Sequence, residues 1–123
     1  MEFELKLVEG GKIGMIVFHT FMTKDLFAGM FQDILKSSEC SSLELLIYDT
    51  RRFPLEISAF DQYDCIYNHS SQTNNRTGRK IALWVKEEDH SYDFIETLYL
   101  NSGRSARRFE NYDEAVSWLT ADK

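Results

Sequence analysis

The sequence predicts an α/β fold, namely a single mixed, mostly parallel sheet of four or five strands with four helices packed on it, in the order β-β-α-β-α-β-α-β-α. Apolar residues recur at period two in some segments and at helical spacing in others, and the two kinds of segment alternate along the chain. Strands that alternate with helices of about ten residues favour crossover connections and a parallel sheet. Neither an internal repeat nor a linker interrupts this alternation, so we expect residues 1–123 to form one domain.

The first half of the chain predicts two strands and a helix. Residues 2–8 alternate apolar and charged side chains, which is typical of a strand with one solvated face. After a turn at Gly10–Lys12, residues 13–18 form a nearly continuous apolar run, which indicates a strand covered on both faces. Residues 23–36 place their apolar side chains on one helical face, with Thr23 as the N-cap.

The second half repeats this alternation. Residues 43–49 predict another buried strand, and Pro54 makes the segment 51–54 a loop because proline disfavours helix at the preceding residue. The next element is a helix in which Ile57, Phe60, Asp64 and Tyr67 share a face, and a strand at 80–85 follows it. The helix after that strand is marked by Tyr92, Ile95, Leu98 and Tyr99 and is closed by Asn101–Gly103. The last two elements are a strand at 104–109 and a helix that is capped by Asn111, with Glu114 three residues further on.

The first and last strands are predicted to be the edges of the sheet. Arg104, Arg107 and Arg108 place positive charge along the last strand, which discourages pairing with another sheet. A basic stripe that binds a ligand is the alternative interpretation of the same three arginines.

Charge and hydropathy exclude several classes of partner. The chain has 14 Lys and Arg against 20 Asp and Glu, a net charge of −6, which argues against nonspecific binding to nucleic acid or to anionic membranes. Its apolar runs are far shorter than the roughly 20 residues that cross a bilayer, and residues 1–12 do not resemble a signal peptide. We therefore expect a cytoplasmic protein with Cys40 and Cys65 as reduced thiols, a disulfide between them being the alternative.

Motifs in the C-terminal half carry a family resemblance. The strand KIALWV is followed by an Asp-His-Ser-Tyr helix start, an Arg-Arg-Phe strand and a closing Asn-Tyr-Asp-Glu-Ala-Val-Ser-Trp-Leu helix. Over residues 81–119 this order resembles the SpoIIAA-like, or STAS-like, family of small bacterial domains. The resemblance implies a sheet of four or five strands with helices on its faces. It also implies a function like those of better understood relatives, which are protein-binding anti-sigma-factor antagonists and lipid-binding CRAL-TRIO domains.

The antagonist branch of this family implies a modification site. Its members carry a phosphorylatable Ser, preceded by Asp and followed by small residues, at the start of the helix after the central strand, where free amides stabilise a phosphate. The matching residue is Ser58, so the resemblance makes Ser58 the candidate phosphoacceptor. This chain has Ile57 in place of the Asp and Ala59-Phe60 in place of the small residues. The alternative interpretation is that Ser58 is an ordinary N-cap or first-turn serine.

Candidate ligand-binding residues follow the strands. Ligands of open α/β sheets gather beyond the carboxyl ends of the parallel strands. That edge is predicted to collect His19, Thr50, Arg51, Arg52 and His90. The two adjacent arginines beside a helix start are suited to a carboxylate or phosphate, and solvated loop arginines are the alternative.

Catalytic and metal-binding motifs are absent from the sequence. The three histidines lack the spacing of a zinc site, and the chain has no nucleophile elbow and no glycine-rich phosphate or dinucleotide loop. We therefore expect no enzymatic activity, no metal and no cofactor.

Two functional hypotheses remain. The first is a noncatalytic regulatory or protein-interaction module, able to form a homodimer through a helical face, which should show an exposed apolar patch on its helices. The alternative is a small-molecule or lipid carrier, which needs an enclosed, aromatic-lined pocket between the strand ends and the helices after Phe21 and Phe53.

Overall fold

The structure is a computed structural model that describes residues 2–37, 43–70, 80–101 and 105–121. Its strands are β1 (Phe3–Val8), β2 (Ile13–Phe18), β3 (Leu45–Asp49), β4 (Lys80–Trp84) and β5 (Ser105–Phe109). They form one five-stranded sheet in the order β1-β2-β3-β4-β5. The β1–β2 pair is antiparallel and the other three pairs are parallel. The predicted mixed, mostly parallel sheet is therefore confirmed, with β1 and β5 as its edges.

Four α-helices lie between and after these strands in the described residues. They are α1 (Lys24–Lys36), α2 (Ala59–Asp64), α3 (Asp93–Asn101) and α4 (Tyr112–Thr120), and α2 continues directly into a π-helical segment, Cys65–Ser70. None of the described helices is long and apolar enough to cross a bilayer. The predicted closure of α3 at Asn101–Gly103 extends beyond Asn101 into residues that lie outside the described part of the chain.

Two of the helices begin where their caps predict. The Thr23 hydroxyl accepts a hydrogen bond from the Leu26 amide at 3.1 Å, and the Asn111 side chain accepts one from the Glu114 amide at 3.0 Å. Each cap satisfies one of the backbone amides that the first turn of a helix leaves without a partner. Local sequence alone therefore sets the start of α1 and of α4.

The two faces of the sheet are covered unequally. Helices α1, α2 and α3 and the π-helical segment enclose the larger core on one face, around Ile16, Tyr48 and Leu83 of the central strands. Of the helices in the described residues, only α4 covers the other face, where Ala115 and Leu119 pack on β2, β3 and β4. The predicted burial of β2 on both faces is confirmed, since every residue of it except Val17 is buried. Beside α4, an open groove on this second face is lined by Lys6, Met15 and Trp84.

The edge at β5 is closed by a side chain from α3. The Arg108 amide faces away from β4 and donates to the Glu96 carboxylate at 2.7 Å. The Arg108 guanidinium turns back over the sheet end, donating to the Asp89 carbonyl at 2.8 Å and to Glu110 at 2.6 Å. Edge protection thus comes from a carboxylate that covers the backbone as well as from arginine charge. Arg104 lies outside the described residues.

The start of β3 and the buried face of α2 differ from the prediction. Strand β3 begins at Leu45, two residues later than predicted. Helix α2 and its continuation bury Gln62, Cys65 and Ile66, whereas Phe60 and Tyr63 are exposed. Sequence spacing alone predicted a face through Phe60, and tertiary packing instead selects the face that carries Gln62.

The thiol of Cys65 connects the π-helical segment that continues α2 to the start of α1. It is free, fully buried, and donates to the Lys24 carbonyl at 3.7 Å. Burial is the main cause that raises its pKa to about 11. The prediction of a reduced thiol is confirmed for Cys65, and Cys40 lies outside the described residues.

Candidate functional site

The segment after β3 begins with a residue that is part of the sheet architecture. Thr50 is fully buried, and its amide and hydroxyl both donate to the Trp84 carbonyl, at 2.9 and 3.1 Å. Both polar groups of this residue are thereby used in joining the ends of β3 and β4. Thr50 was a predicted ligand residue, and the structure places it beneath the surface at that edge.

Arg51 is held in one position by two neighbours. Its Nε and Nη2 donate to the two carboxylate oxygens of Asp49 at 2.9 and 3.0 Å, and the hydrogen bond to Asp49 is the main cause that raises the Arg51 pKa. Its guanidinium carbon also lies 3.5 Å from the centroid of the Trp84 ring. Such a stacked, bidentate geometry suits arginine and would not suit lysine. The pair Asp49–Arg51 is therefore a fixed, nearly neutral platform on the ring.

This platform lines an open groove of about 340 Å³ on the face covered by α4. Lys6 of β1 and Met15 of β2 line its other side. Tyr112, the first residue of α4, packs its ring 5.1 Å from Trp84 and donates its hydroxyl to Glu9 at 2.7 Å. Desolvation and this hydrogen bond raise the pKa of Tyr112 to about 12. The groove offers Lys6, the Asp49–Arg51 pair and two aromatic rings to a small ligand.

The other three predicted ligand residues, Arg52, His19 and His90, each contact a different side chain away from this groove. The guanidinium carbon of Arg52 lies 5.8 Å from the Phe53 ring centroid. His19 Nε2 lies 3.2 Å from Glu4 Oε1, and His90 Nδ1 lies 3.0 Å from Asp93 Oδ2. Of the five residues predicted from the sequence, only Arg51 lines the groove.

Sequence reasoning missed the aromatic residues of the groove and its lysine. Trp84 and Tyr112 are adjacent because the register places Asp49 opposite Trp84 and α4 crosses the sheet beside them. Lys6 reaches the groove because it pairs with Met15. The only sequence signal was the Asp-x-Arg spacing of Asp49 and Arg51 at a strand end.

A cluster of charges at the end of β5 clamps the loop before α3. Glu110 accepts from the Glu88 amide at 3.0 Å and from Arg108, and these hydrogen bonds lower its pKa. Glu88 has a positive φ of 65°, so this contact stabilises a backbone conformation that is rare outside glycine. In the described residues no group of three or more His, Cys, Asp or Glu is arranged to hold a metal ion.

The residues beside the predicted carrier pocket contact one another closely. The rings of Phe21 and Phe53 pack edge to face at 5.1 Å. The Tyr92 hydroxyl donates to the Phe53 carbonyl at 3.0 Å, and the Leu55 amide donates to Ser91 Oγ at 2.8 Å. These contacts fix the segment after β3 onto the start of α3.

Ser58 lies at the start of α2, on the surface. Its hydroxyl accepts from the Asp61 amide at 3.1 Å, so the N-cap interpretation is confirmed. The helix that it caps follows β3, the central strand of the sheet, which is the position that the family resemblance implied. A role as phosphoacceptor stays a prediction.

Three aromatic side chains follow Ser58 on one side of this helix. Phe60 is 75% exposed and Tyr63 is 51% exposed, and the Tyr63 ring packs 4.5 Å from that of Tyr67. Spacings of three and four residues place side chains on a common helical face. We call Phe60, Tyr63 and Tyr67 the aromatic patch.

Three carboxylates lie close in the sequence to the residues of the aromatic patch. Glu56 is exposed, and Asp61 is half-buried on α2 itself. Asp64 forms an ion pair with Lys24 of α1 at 2.8 Å, which fixes the patch relative to α1. Of these three carboxylates, Asp64 is paired with a lysine, and Glu56 and Asp61 supply negative charge on either side of Phe60 in the sequence.

Searches of protein-family models, of curated proteins and of solved structures find no match to this chain. The chain's own residues therefore carry the functional assignment.

Proposed function

We propose that this chain is a noncatalytic protein-interaction module of the SpoIIAA-like type, which binds a partner protein through the aromatic patch of α2. The observation that carries the proposal is the exposure of Phe60, of which three quarters faces solvent. The order of the elements and the mixed sheet support it, because they are those that the resemblance over residues 81–119 implies.

The free energy available at the aromatic patch is that of a binding hot spot. Removing one large apolar side chain from water contributes about 1.5–3 kcal/mol. Aromatic residues also dominate the few positions that carry most of the binding free energy at protein interfaces. Phe60 and Tyr63, side by side on a helix held by the core, present such anchors without a large loss of conformational entropy on binding.

The carboxylates near Phe60 specify the charge of the partner. Glu56 and Asp61 flank Phe60 in the sequence, and the whole chain carries a net charge of −6. Complementary charge speeds association and selects against wrong partners. The partner is therefore a protein with an apolar pocket bordered by Lys or Arg, and association with it slows as ionic strength rises.

Ser58 supplies the regulatory part of the proposal. Its exposed hydroxyl lies two residues before Phe60, at the helix start. A phosphate there adds a charge of about −1.5 to −2 at the edge of the aromatic patch, and the free amides of a helix start accommodate it. Phosphorylation of Ser58 thus changes the charge that the partner meets without displacing the patch.

Photo-cross-linking in the native host tests the proposal. Benzoylphenylalanine is placed at Phe60 in one variant and at Phe94, an exposed Phe of α3, in a matched control. We expect one partner to cross-link in stoichiometric amount at Phe60 and not at Phe94. Equal labelling at both positions, or none at Phe60, contradicts the proposal.

The groove beside α4 favours a second candidate function, that of a carrier of a small anionic ligand. Lys6 supplies positive charge opposite the Asp49–Arg51 pair on the Trp84 ring, and the volume of about 340 Å³ suits a small molecule. Intact mass under native and denaturing conditions distinguishes the two. Added mass that disappears on denaturation, and that Arg51→Ala abolishes, supports the carrier. A bare chain under both conditions contradicts it.

A further inference from the structure

The outer side of β1 presents unpaired backbone groups. In the described part of the chain, β1 pairs only with β2. The His19 amide donates to the Glu2 carbonyl at 2.8 Å, which makes these two residues a hydrogen-bonded pair of the antiparallel ladder. Hydrogen-bonded and non-hydrogen-bonded pairs alternate along such a ladder. The amides and carbonyls directed away from β2 are therefore those of Phe3, Leu5 and Leu7.

Two of the devices that usually protect an edge strand, a bulge and a proline, are missing from β1, although the strand does carry the charges of Glu4 and Lys6. The register runs without a bulge from Phe3 opposite Phe18 to Val8 opposite Ile13, and β1 contains no proline. At β5, by contrast, the outward amide of Arg108 is already bonded to Glu96. Edge strands that are long, regular and uncovered are templates for pairing with another strand. Among the described residues, no strand pairs with the outer side of β1, whereas at β5 one outward amide is bonded to a side chain of α3.

We propose that β1 pairs antiparallel with β1 of a second copy of this chain, with Leu5 opposite Leu5, so that the two five-stranded sheets become one continuous sheet. Three registers bring together at least two pairs of outward-facing residues of β1, and they are centred on Glu4, on Leu5 or on Lys6. The first places Glu4 opposite Glu4, and the last places Lys6 opposite Lys6. Only the register centred on Leu5 places Glu4 of each copy opposite Lys6 of the other.

Charge complementarity therefore selects both the partner and the register. Opposite charges across a strand pair stabilise it, and like charges destabilise it. In the proposed register the Glu4–Lys6 pairs are non-hydrogen-bonded, the positions at which facing side chains come closest. Both side chains are exposed in one copy, where Glu4 contacts His19 at 3.2 Å. The symmetry of the pairing makes the favourable contact twice.

The apolar side of β1 also suits this pairing. Phe3 and Leu5 border an open groove of about 480 Å³ between β1 and the C-terminal end of α1. In the proposed register, Leu7 of the second copy lies opposite Phe3, at the rim of this groove. Leu7 is 39% exposed in a single copy, and it becomes covered in the pair.

The geometry also limits the assembly to two copies. A two-fold pairing uses the same surface on both copies and leaves no β1 edge free. The outermost strands of the combined sheet are then the two copies of β5, and at each of them Glu96 is bonded to the Arg108 amide. The interface is thus a strand edge, and a helical face is not required.

A charge-swap experiment in sedimentation equilibrium tests the inference. We expect the molecular mass of the wild-type protein in solution to be twice the 14.4 kDa of one chain. Glu4→Lys and Lys6→Glu each place like charges opposite one another at both symmetric positions, so each variant alone is monomeric. An equimolar mixture of the two variants restores opposite charges at both positions and forms a heterodimer. Circular dichroism and the Tm of each variant show that both remain folded.

The control variant is Phe60→Ser, which removes the exposed aromatic of α2 and leaves β1 unchanged. We expect it to remain dimeric. A wild-type chain that stays monomeric, single variants that stay dimeric, or a mixture that stays monomeric overturns the inference. A dimer that is lost in Phe60→Ser and kept in the charge variants places the interface on α2 and also overturns it.

Discussion

Helices α1 and α2 pack on the same face of the sheet, yet α1 buries a phenylalanine side chain and α2 exposes one. Each begins at a hydroxyl cap, Thr23 for α1 and Ser58 for α2. In α1, Phe27 is fully buried and packs edge to face on Phe18 at 6.4 Å. In α2, Phe60 is 75% exposed. Similar caps and similar apolar content thus produce one helix that supplies the core and one that displays a surface.

The difference lies in what fills the inner face of each helix. The 13 residues of α1 place Phe27, Met30 and Ile34 on one buried stripe. Helix α2 has six residues, and its inner positions are taken by Gln62 and, in the π-helical continuation, by Cys65 and Ile66. The aromatic residues of α2 are not needed for packing. Large exposed side chains of this kind mark interaction sites more often than isolated surface apolar residues do.

The largest effect on stability is expected at Phe27. Replacing Phe27 by Ala removes a fully buried ring from the larger core and leaves a cavity beside Phe18. We expect the free energy of unfolding to fall by about 3–5 kcal/mol. Urea denaturation followed by circular dichroism measures it. A loss below about 1 kcal/mol would mean that α1 does not supply the core as described.

The next largest effect is expected at the thiol that joins the two helices. Burial raises the pKa of Cys65 from 9.0 to about 11, which lowers its thiolate fraction near pH 8 by about a hundredfold. In a Cys40→Ser background, iodoacetamide should modify the folded chain slowly and the urea-unfolded chain quickly. The contribution of this thiol to stability is complete below pH 9 and is lost as the pH rises toward 11. Equal alkylation rates in the two states would contradict the burial of Cys65.

A smaller effect is expected at the two caps. Thr23→Ala and Ser58→Ala each leave one first-turn amide without its side-chain acceptor, and each should lower the free energy of unfolding by about 1 kcal/mol. The proposed function assigns a regulatory role to Ser58 and none to Thr23. Only Ser58→Ala should remove a phosphate-dependent change in partner binding. If binding responds to phosphorylation equally in Ser58→Ala and in wild type, Ser58 is not the regulatory residue.

The smallest effect on stability is expected at Phe60. Phe60→Ser and its control Phe94→Ser change exposed side chains, so each should shift the free energy of unfolding by no more than about 0.5 kcal/mol. Thermal unfolding checks this. A loss as large as that of Phe27→Ala would show that Phe60 belongs to the core.

The sequence predicts the elements that depend on local signals. Strand β2, the caps Thr23 and Asn111 and the strand edges follow from residue pattern, since alternation and capping act within a few residues. The inner face of α2 does not follow from pattern, because Gln62 is buried through a hydrogen bond from its Nε2 to the Ile57 carbonyl at 2.9 Å. A polar residue on the inner face reverses the face that hydrophobic spacing predicts.

The two candidate sites also differ in how much of each depends on local sequence and how much depends on tertiary contacts. Ser58 is a candidate because the family resemblance implies it, and Arg51 is a candidate because of its position at a strand end. The groove around Arg51 does not follow from the sequence, because Lys6, Trp84 and Tyr112 reach it through strand register and through the path of α4. Contacts between residues far apart in the chain are not encoded in any single segment.

The affinity of the partner that cross-links at Phe60 tests the central claim most directly. Isothermal titration would compare wild type, Phe60→Ser and Phe94→Ser at equal ionic strength. We expect Phe60→Ser to raise the Kd by at least about 30-fold, the loss of a hot spot of roughly 2 kcal/mol, and Phe94→Ser to leave the Kd within about twofold. Wild-type affinity in Phe60→Ser would contradict the assignment of the aromatic patch as the docking surface.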